Sequence, residues 1–152
     1  AAGGLFDGRG LAAALALGAD GVWMGTRFIA TPEAHAPQGY KDTLLTLPED
    51  GTVVSRAYTG KTCRVVRTEW TQHFEEHPEE LSKFPEQVMK SIRAGANHMG
   101  ASIDTHVDVN NEFMPAGQGV GAIKSLIPAG DLVRQIMAEA EQVIELMKKF
   151  AK

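Results

Sequence analysis

The chain of 152 residues is 43% hydrophobic and 22% charged, enough for a soluble globular core. Its longest apolar run, Leu11 to Leu17, is far below the roughly 20 residues of a membrane span, and no basic-then-apolar secretory opening is recognisable. A net charge of −4 argues against nucleic acid as partner, and the single Cys63 excludes disulfide frameworks and multi-cysteine metal centres, so a reduced, cytoplasmic chain is expected.

The opening Ala1-Ala2-Gly3-Gly4 reads as the end of a strand and its glycine turn, so the chain is expected to start within a fold. Asp7 is placed to cap a helix over Gly8 to Leu17, which Gly18 closes. Ala19 to Met24, trailed by Gly25, has the short apolar character of a buried parallel strand. Residues 1–24 thus read as most of one βαβ unit.

Thr31-Pro32-Glu33 has the form of a helix start, and Tyr40 to Leu47 reads as a short helix ended by Pro48 and Gly51. Thr52–Ala57 and Thr62–Thr68 are extended segments around a Tyr58-Thr59-Gly60-Lys61 turn. Helices follow at Glu69–Glu76 and Pro85–Arg93, then glycine- and asparagine-rich loop from Gly95 to Gly121. Asp131–Lys149 carries an apolar stripe at helical spacing, with Val133, Ile136, Met137, Ala140, Val143 and Ile144 expected to form its docking face.

In a βαβ unit both strands point their C-terminal ends to one edge of the sheet. Gly3-Gly4 and Gly25-Thr26 should therefore lie side by side. Glycine lets backbone amides approach an anion, and Thr26 adds a hydroxyl donor. Either glycine site alone reads first as a tight turn; two on consecutive parallel strands favour phosphate, as after strands 7 and 8 of (β/α)8 barrels.

The stretches Ala1-Ala2-Gly3-Gly4-Leu5-Phe6-Asp7-Gly8-Arg9-Gly10, Ala14-Leu15-Ala16-Leu17-Gly18-Ala19-Asp20 and Met24-Gly25-Thr26-Arg27-Phe28 closely resemble the nitronate monooxygenase (2-nitropropane dioxygenase) family, whose relatives include flavin-dependent enoyl-ACP reductases. Ser55-Arg56-Ala57-Tyr58-Thr59-Gly60, Arg64-Val65-Val66-Arg67 and Pro115-Ala116-Gly117-Gln118-Gly119-Val120-Gly121 are similar to later segments of that family. The resemblance implies the C-terminal part of an FMN-binding (β/α)8 TIM barrel, from the end of strand 7 to strand 8, plus a mostly helical covering subdomain. Residues 1–31 would end the barrel, 32–127 would cover it, and 128–152 would hold the C-terminal amphipathic helix.

By the same resemblance Gly3, Gly4, Gly25 and Thr26 would bind the FMN phosphate. The whole enzyme would oxidise alkyl nitronates with dioxygen, as a possible homo-oligomer without nucleic-acid or membrane partners. The alternatives are an NAD(P)H-dependent enoyl-ACP or quinone reductase on the same scaffold, or a non-catalytic phosphate-binding or assembly module. None of His35, His73, His77, His98 or His106 stands in the family's catalytic motif, so no catalytic residue is assigned and the fragment alone is expected to be inactive.

Other motifs compete less well. Gly8-x-Gly10-x-x-Ala13 fits a relaxed dinucleotide fingerprint, with Arg27 either reading a 2′-phosphate or paired structurally with an acid. Asp104-Thr105-His106-Val107-Asp108-Val109-Asn110 alternates ligand-type residues but fails the EF-hand pattern, and no metal is expected. Arg56, Arg64 and Arg67 could take an acidic ligand or pair with Glu69, Glu75 or Glu76. Gln118 could approach a flavin or cap its own loop, and Cys63 could be an activated thiol or a packing residue.

Overall fold

Asp7 opens the first helix, α1 (Gly8–Ala16), by accepting the Gly10 amide at 2.9 Å from an extended backbone. At the other end Gly18 takes φ +91°, and the Gly18 and Ala19 amides donate back to Leu15 and Ala14. This is a Schellman close, as the glycine position implies. The computed structural model describes residues 1–98 and 100–150.

On either side of α1 the chain runs parallel to itself, but only at one point. Ala2 and Trp23 form an isolated parallel bridge, with the Trp23 amide on the Ala1 carbonyl at 2.8 Å and the Ala1 nitrogen on the Gly21 carbonyl at 2.6 Å. The expected strand over Ala19–Met24 is thus reduced to a single pairing. Past Ala2 the chain turns away at Gly3 and Gly4, whose positive φ ends the extended backbone.

Thr31-Pro32-Glu33 does not start a helix. A four-residue helix, α2 (Thr26–Ile29), precedes it, and the Thr31 hydroxyl donates back to the Phe28 carbonyl at 2.9 Å. The next helix, α3 (Gln38–Thr46), begins behind Pro37. β1 (Thr52–Ser55) and β2 (Cys63–Val66) form an antiparallel pair, with Thr52 opposite Val66 and Ser55 opposite Cys63. α4 (Glu69–Glu76) starts from a reciprocal capping box between Thr68 and Thr71. α5 (Glu86–Arg93) and α6 (Ala129–Met147) complete the helices, and 3₁₀ turns occupy Pro78–Glu80, Gln118–Ala122 and Lys148–Phe150. Among the described residues no helix is long and apolar enough to cross a membrane.

Three cores hold these elements. α6 lies on α1 so closely that a Cβ on Gly8 would sit 2.4 Å from the Ile136 carbonyl oxygen and 2.5 Å from the Ala140 nitrogen. Leu11, Ala12, Met24, Leu132, Ile136 and Ala140 fill that interface. The Glu139 carboxylate accepts the Gly8 amide at 2.9 Å, a favourable charge at a helix N-terminus. The α6 stripe divides: Leu132, Ile136 and Ala140 are buried, whereas Val133, Met137 and Ile144 are exposed, contrary to the expected docking face. The exposed half borders an open apolar groove of about 280 Å³ beside Val22, Met24 and Phe28.

A second core surrounds Tyr58, whose hydroxyl lies 2.7 Å from Thr68 Oγ1 and donates to the backbone around Asn111 and Glu112. The third joins Ala30, Tyr40, Leu44, Val66, Met114 and Val120. Here the late loop joins the hairpin edge: Val65 bridges Pro115, the Val66 amide donates to Met114 and the Ala116 amide to Arg64. The buried Tyr40 hydroxyl donates to the Pro115 carbonyl, and burial raises its pKa.

Removing that donor by Tyr40→Phe should leave a carbonyl poorly satisfied and cost about 1–3 kcal/mol. Urea unfolding of the full-length protein measures it; an unchanged midpoint would mean that water replaces the phenol at no cost.

Candidate functional site

The single parallel bridge fixes the site. Because Ala2 and Trp23 are paired, Gly3-Gly4 and Gly25-Thr26 leave the pairing at the same edge, as the βαβ reading requires. Gly3 and Gly4 have φ of +90° and +71°, and open space lies where their Cβ atoms would be. Such backbone suits glycine and little else. Gly25 has φ −88° and ψ −73°, an ordinary helical conformation, and also faces open space.

Together these four residues line a cavity of about 200 Å³, with Trp23 and Phe6 among its walls. Trp23 is 79% exposed. The opposite side comes from far along the chain: Gly117 and Gly119 line the same cavity. The Gly117 amide donates to Thr26 Oγ1 at 2.9 Å. The Thr26 hydroxyl therefore uses an acceptor position on the protein and keeps its proton for another acceptor. A Cβ on Gly119 would stand 2.5 Å from Phe6 Cδ1 and 3.0 Å from the Gly4 carbonyl oxygen, so only glycine lets this loop close.

Sequence reasoning places Pro115–Gly121 in a glycine-rich loop but does not assign Gly117, Gly119, Trp23 or Phe6 to the site. The loop's composition is the available signal. Gln118, the loop's one polar candidate, is exposed and lies outside the cavity lining.

Arg27 borders the cavity, yet its guanidinium donates to the Ala30 and Ser125 carbonyls at 3.2 and 3.1 Å. Burial lowers its pKa and the more distant Glu139 partly offsets this. Among the described residues no acid pairs with it directly. Its role is to tie α2 to the segment before α6, in place of the expected ion pair. The dinucleotide fingerprint also fails geometrically, since α6 covers Gly8 and the Leu5 side chain covers Gly10.

The remaining candidates lie elsewhere. Arg67 pairs with Glu75 at 3.2 Å, whereas Arg56 and Arg64 reach the hydroxyls of Thr62 and Thr52. Burial raises the Cys63 thiol pKa, the opposite of activation. Asp108 accepts from Asn111 and the Asn110 amide, which hold its carboxyl below the usual range in a polar turn. His98 hydrogen-bonds buried Glu112 at 2.6 Å, and none of the five histidines lines the cavity.

The family described as nitronate monooxygenase matches residues 1–139. A probable nitronate monooxygenase of Staphylococcus saprophyticus is 38% identical over 109 residues, covering 70% of this chain and 31% of that protein. One from Staphylococcus aureus strain MSSA476 is 31% identical over 147 residues, covering 95% of this chain and 39% of its own length. FabK from Thermotoga maritima superposes with a TM-score of 0.80 at 32% identity, covering 98% of this chain and 46% of that one. A nitroalkane oxidase from Streptomyces ansochromogenes gives 0.74 at 30% identity, covering 96% and 40%. The chain thus spans between 31% and 39% of these two curated relatives. With the family match extending from the paired glycines through most of α6, the chain belongs to the nitronate monooxygenase family.

Proposed function

We propose that this chain carries the phosphate-binding edge of an FMN-dependent oxidoreductase built on a TIM barrel, which oxidises alkyl nitronates with dioxygen. The observation that carries the reading is the convergence of Gly3, Gly4, Gly25, Thr26 and Gly117 on one cavity. Residues 1–31 would end the barrel, 32–127 would cover its mouth, and α6 would close it from outside. The single parallel bridge and the open groove beside Met24 support a barrel completed by other parts of the whole protein.

A phosphate suits this cavity physically. Its volume is below the about 300–1,000 Å³ of pockets for whole small molecules, and glycine backbone borders it from three directions. Thr26 would donate its hydroxyl proton to a phosphate oxygen while holding Gly117 in place. The Phe28 and Ile29 amides donate to the Gly25 carbonyl, which leaves the Thr26 and Arg27 amides as the further backbone donors at this edge. Arg27 would serve the site by holding its wall, because its buried guanidinium directs Nη1 to the Ala30 and Ser125 carbonyls. Bound here, FMN would supply the electron transfer from nitronate to dioxygen, and the protein would orient the cofactor and substrate.

The likeness to FabK favours a second reading on the same site, an NAD(P)H-dependent enoyl-ACP reductase. Assay of the full-length enzyme with alkyl nitronate and dioxygen, against enoyl-ACP with NAD(P)H, separates the two.

The site itself is tested by titrating full-length apoprotein with FMN and riboflavin. Thr26→Val should weaken FMN about tenfold or more, the range for a hydrogen bond to a charged group. Riboflavin, lacking the phosphate, should bind wild type and variant alike, and Thr26→Ser should restore FMN. Equal FMN affinity in wild type and Thr26→Val defeats the phosphate assignment.

A further inference from the structure

We propose that His73, His77, Glu79 and Glu80, at the C-terminal end of α4, form a surface site for a divalent transition-metal ion of the zinc type. The sequence around them reads His-x-x-x-His-Pro-Glu-Glu. On a helix, residues four apart share one face. α4 accordingly brings the two imidazoles together, with ring centres 4.9 Å apart.

The chain then turns back on itself. His77 is the last residue of α4's backbone ladder, its amide on the His73 carbonyl at 2.8 Å, and Pro78 starts the 3₁₀ turn. The Glu80 amide donates to the His77 carbonyl at 3.1 Å, which returns both glutamates to the histidine face. Glu80 Oε2 lies 3.0 Å from His73 Nε2, and Glu79 Oε1 lies 3.6 Å from His77 Nδ1. Ligand atoms from His77, Glu79 and Glu80 all fall within 4.8 Å of one another.

Those separations match a chelate. Tetrahedral zinc with bonds of about 2.0–2.1 Å holds its donor atoms about 3.3 Å apart. The two imidazole–carboxylate distances fall on either side of that value. Two nitrogens with carboxylate oxygens suit zinc, nickel or copper, whereas magnesium and calcium prefer oxygen alone. Exposed ion pairs are worth only about 0–1 kcal/mol, so two of them alone give no reason for His77, Glu79 and Glu80 to converge with His73 beside Glu80.

Neighbours hold the framework. Phe74 packs its ring edge to face with His73, 5.1 Å between centres at 87°. Lys90 of α5 donates to the Glu80 backbone carbonyl at 2.9 Å, and this anchors the turn through its main chain. The ammonium's nearness opposes a cation, and it makes copper or zinc, the stronger binders, the appropriate probes.

The test uses full-length protein, free of affinity tag and stripped with a chelator, titrated with Zn²⁺ by calorimetry in a non-coordinating buffer. His73→Ala and His77→Ala should each weaken one zinc equivalent about tenfold or more, and the double variant should lose it. His35→Ala, an exposed histidine elsewhere, should leave it unchanged. With Cu²⁺ as probe, electron paramagnetic resonance should show coupling to two nitrogens that the double variant lacks. All four side chains are exposed, so the variants should keep the wild-type circular dichroism without metal. An unchanged isotherm in the double variant, or no zinc uptake by the wild type, overturns the site.

Discussion

Gly25→Val in the full-length protein is expected to purify folded but colourless. Gly25 adopts φ −88° and ψ −73°, which valine can occupy at modest rotamer cost, and beyond its chain neighbours no atom lies within 4 Å of where a Cβ would stand. The substitution therefore threatens the fold little. It does place a branched group at the edge of the cavity where the phosphate would approach. FMN affinity should fall at least about 100-fold, or about 2.7 kcal/mol, while unfolding free energies stay within about 0.5 kcal/mol.

Gly4→Ala offers a contrast, because its φ of +71° adds backbone strain of about 1–2 kcal/mol to any effect on the ligand. Flavin absorbance after gel filtration and apoprotein titration give the affinities, and urea unfolding gives the stabilities. Full flavin retention by Gly25→Val would mean that the paired glycines serve only as turns.

The second large effect is expected far from the site. Gly8→Ala should loosen α6 from α1, because the new methyl would meet backbone atoms at 2.4–2.5 Å. Backbone cannot rotate away as a side-chain tip can. Overpacking of this kind costs about 1–3 kcal/mol, and a shifted α6 would also strain the bond from the Gly8 amide to Glu139. Gly10→Ala is the control, since its methyl would meet the flexible end of Leu5 at 2.9 Å. Hydrogen exchange in α1 and from Leu132 to Val143 should speed up in Gly8→Ala and change little in Gly10→Ala. Equal protection in both variants would show that α6 can slide without cost.

Local signals are legible in the sequence, and distant contacts are not. Asp7 and Gly18 bracket α1 because capping and a left-handed close depend on neighbouring residues alone. The paired glycines at 3–4 and 25 can be brought together on paper because one short helix separates them. Gly117 cannot, since its approach to Thr26 depends on Pro115 bridging Val65 and on the buried Tyr40 hydroxyl. Thr31 misleads because threonine before Pro-Glu has the same local form whether it opens a helix or, as here, bonds back to close one. The α6 stripe reads as one face, yet it spans more of the helix than α1 can cover.

The hydrogen bond from Gly117 to Thr26 joins positions 91 residues apart. During translation the two glycine turns leave the ribosome long before their closing loop exists. At about 5–20 residues per second, that interval is roughly 5–20 s. The cavity is therefore a product of late folding, and a nascent chain acquires its complete glycine-lined wall only after the hairpin, α4 and α5 have been made. On the proposed reading, cofactor capture that needs this wall would follow synthesis of the chain through Gly119, so scarce flavin would leave an assembled apoprotein waiting and not a half-made chain.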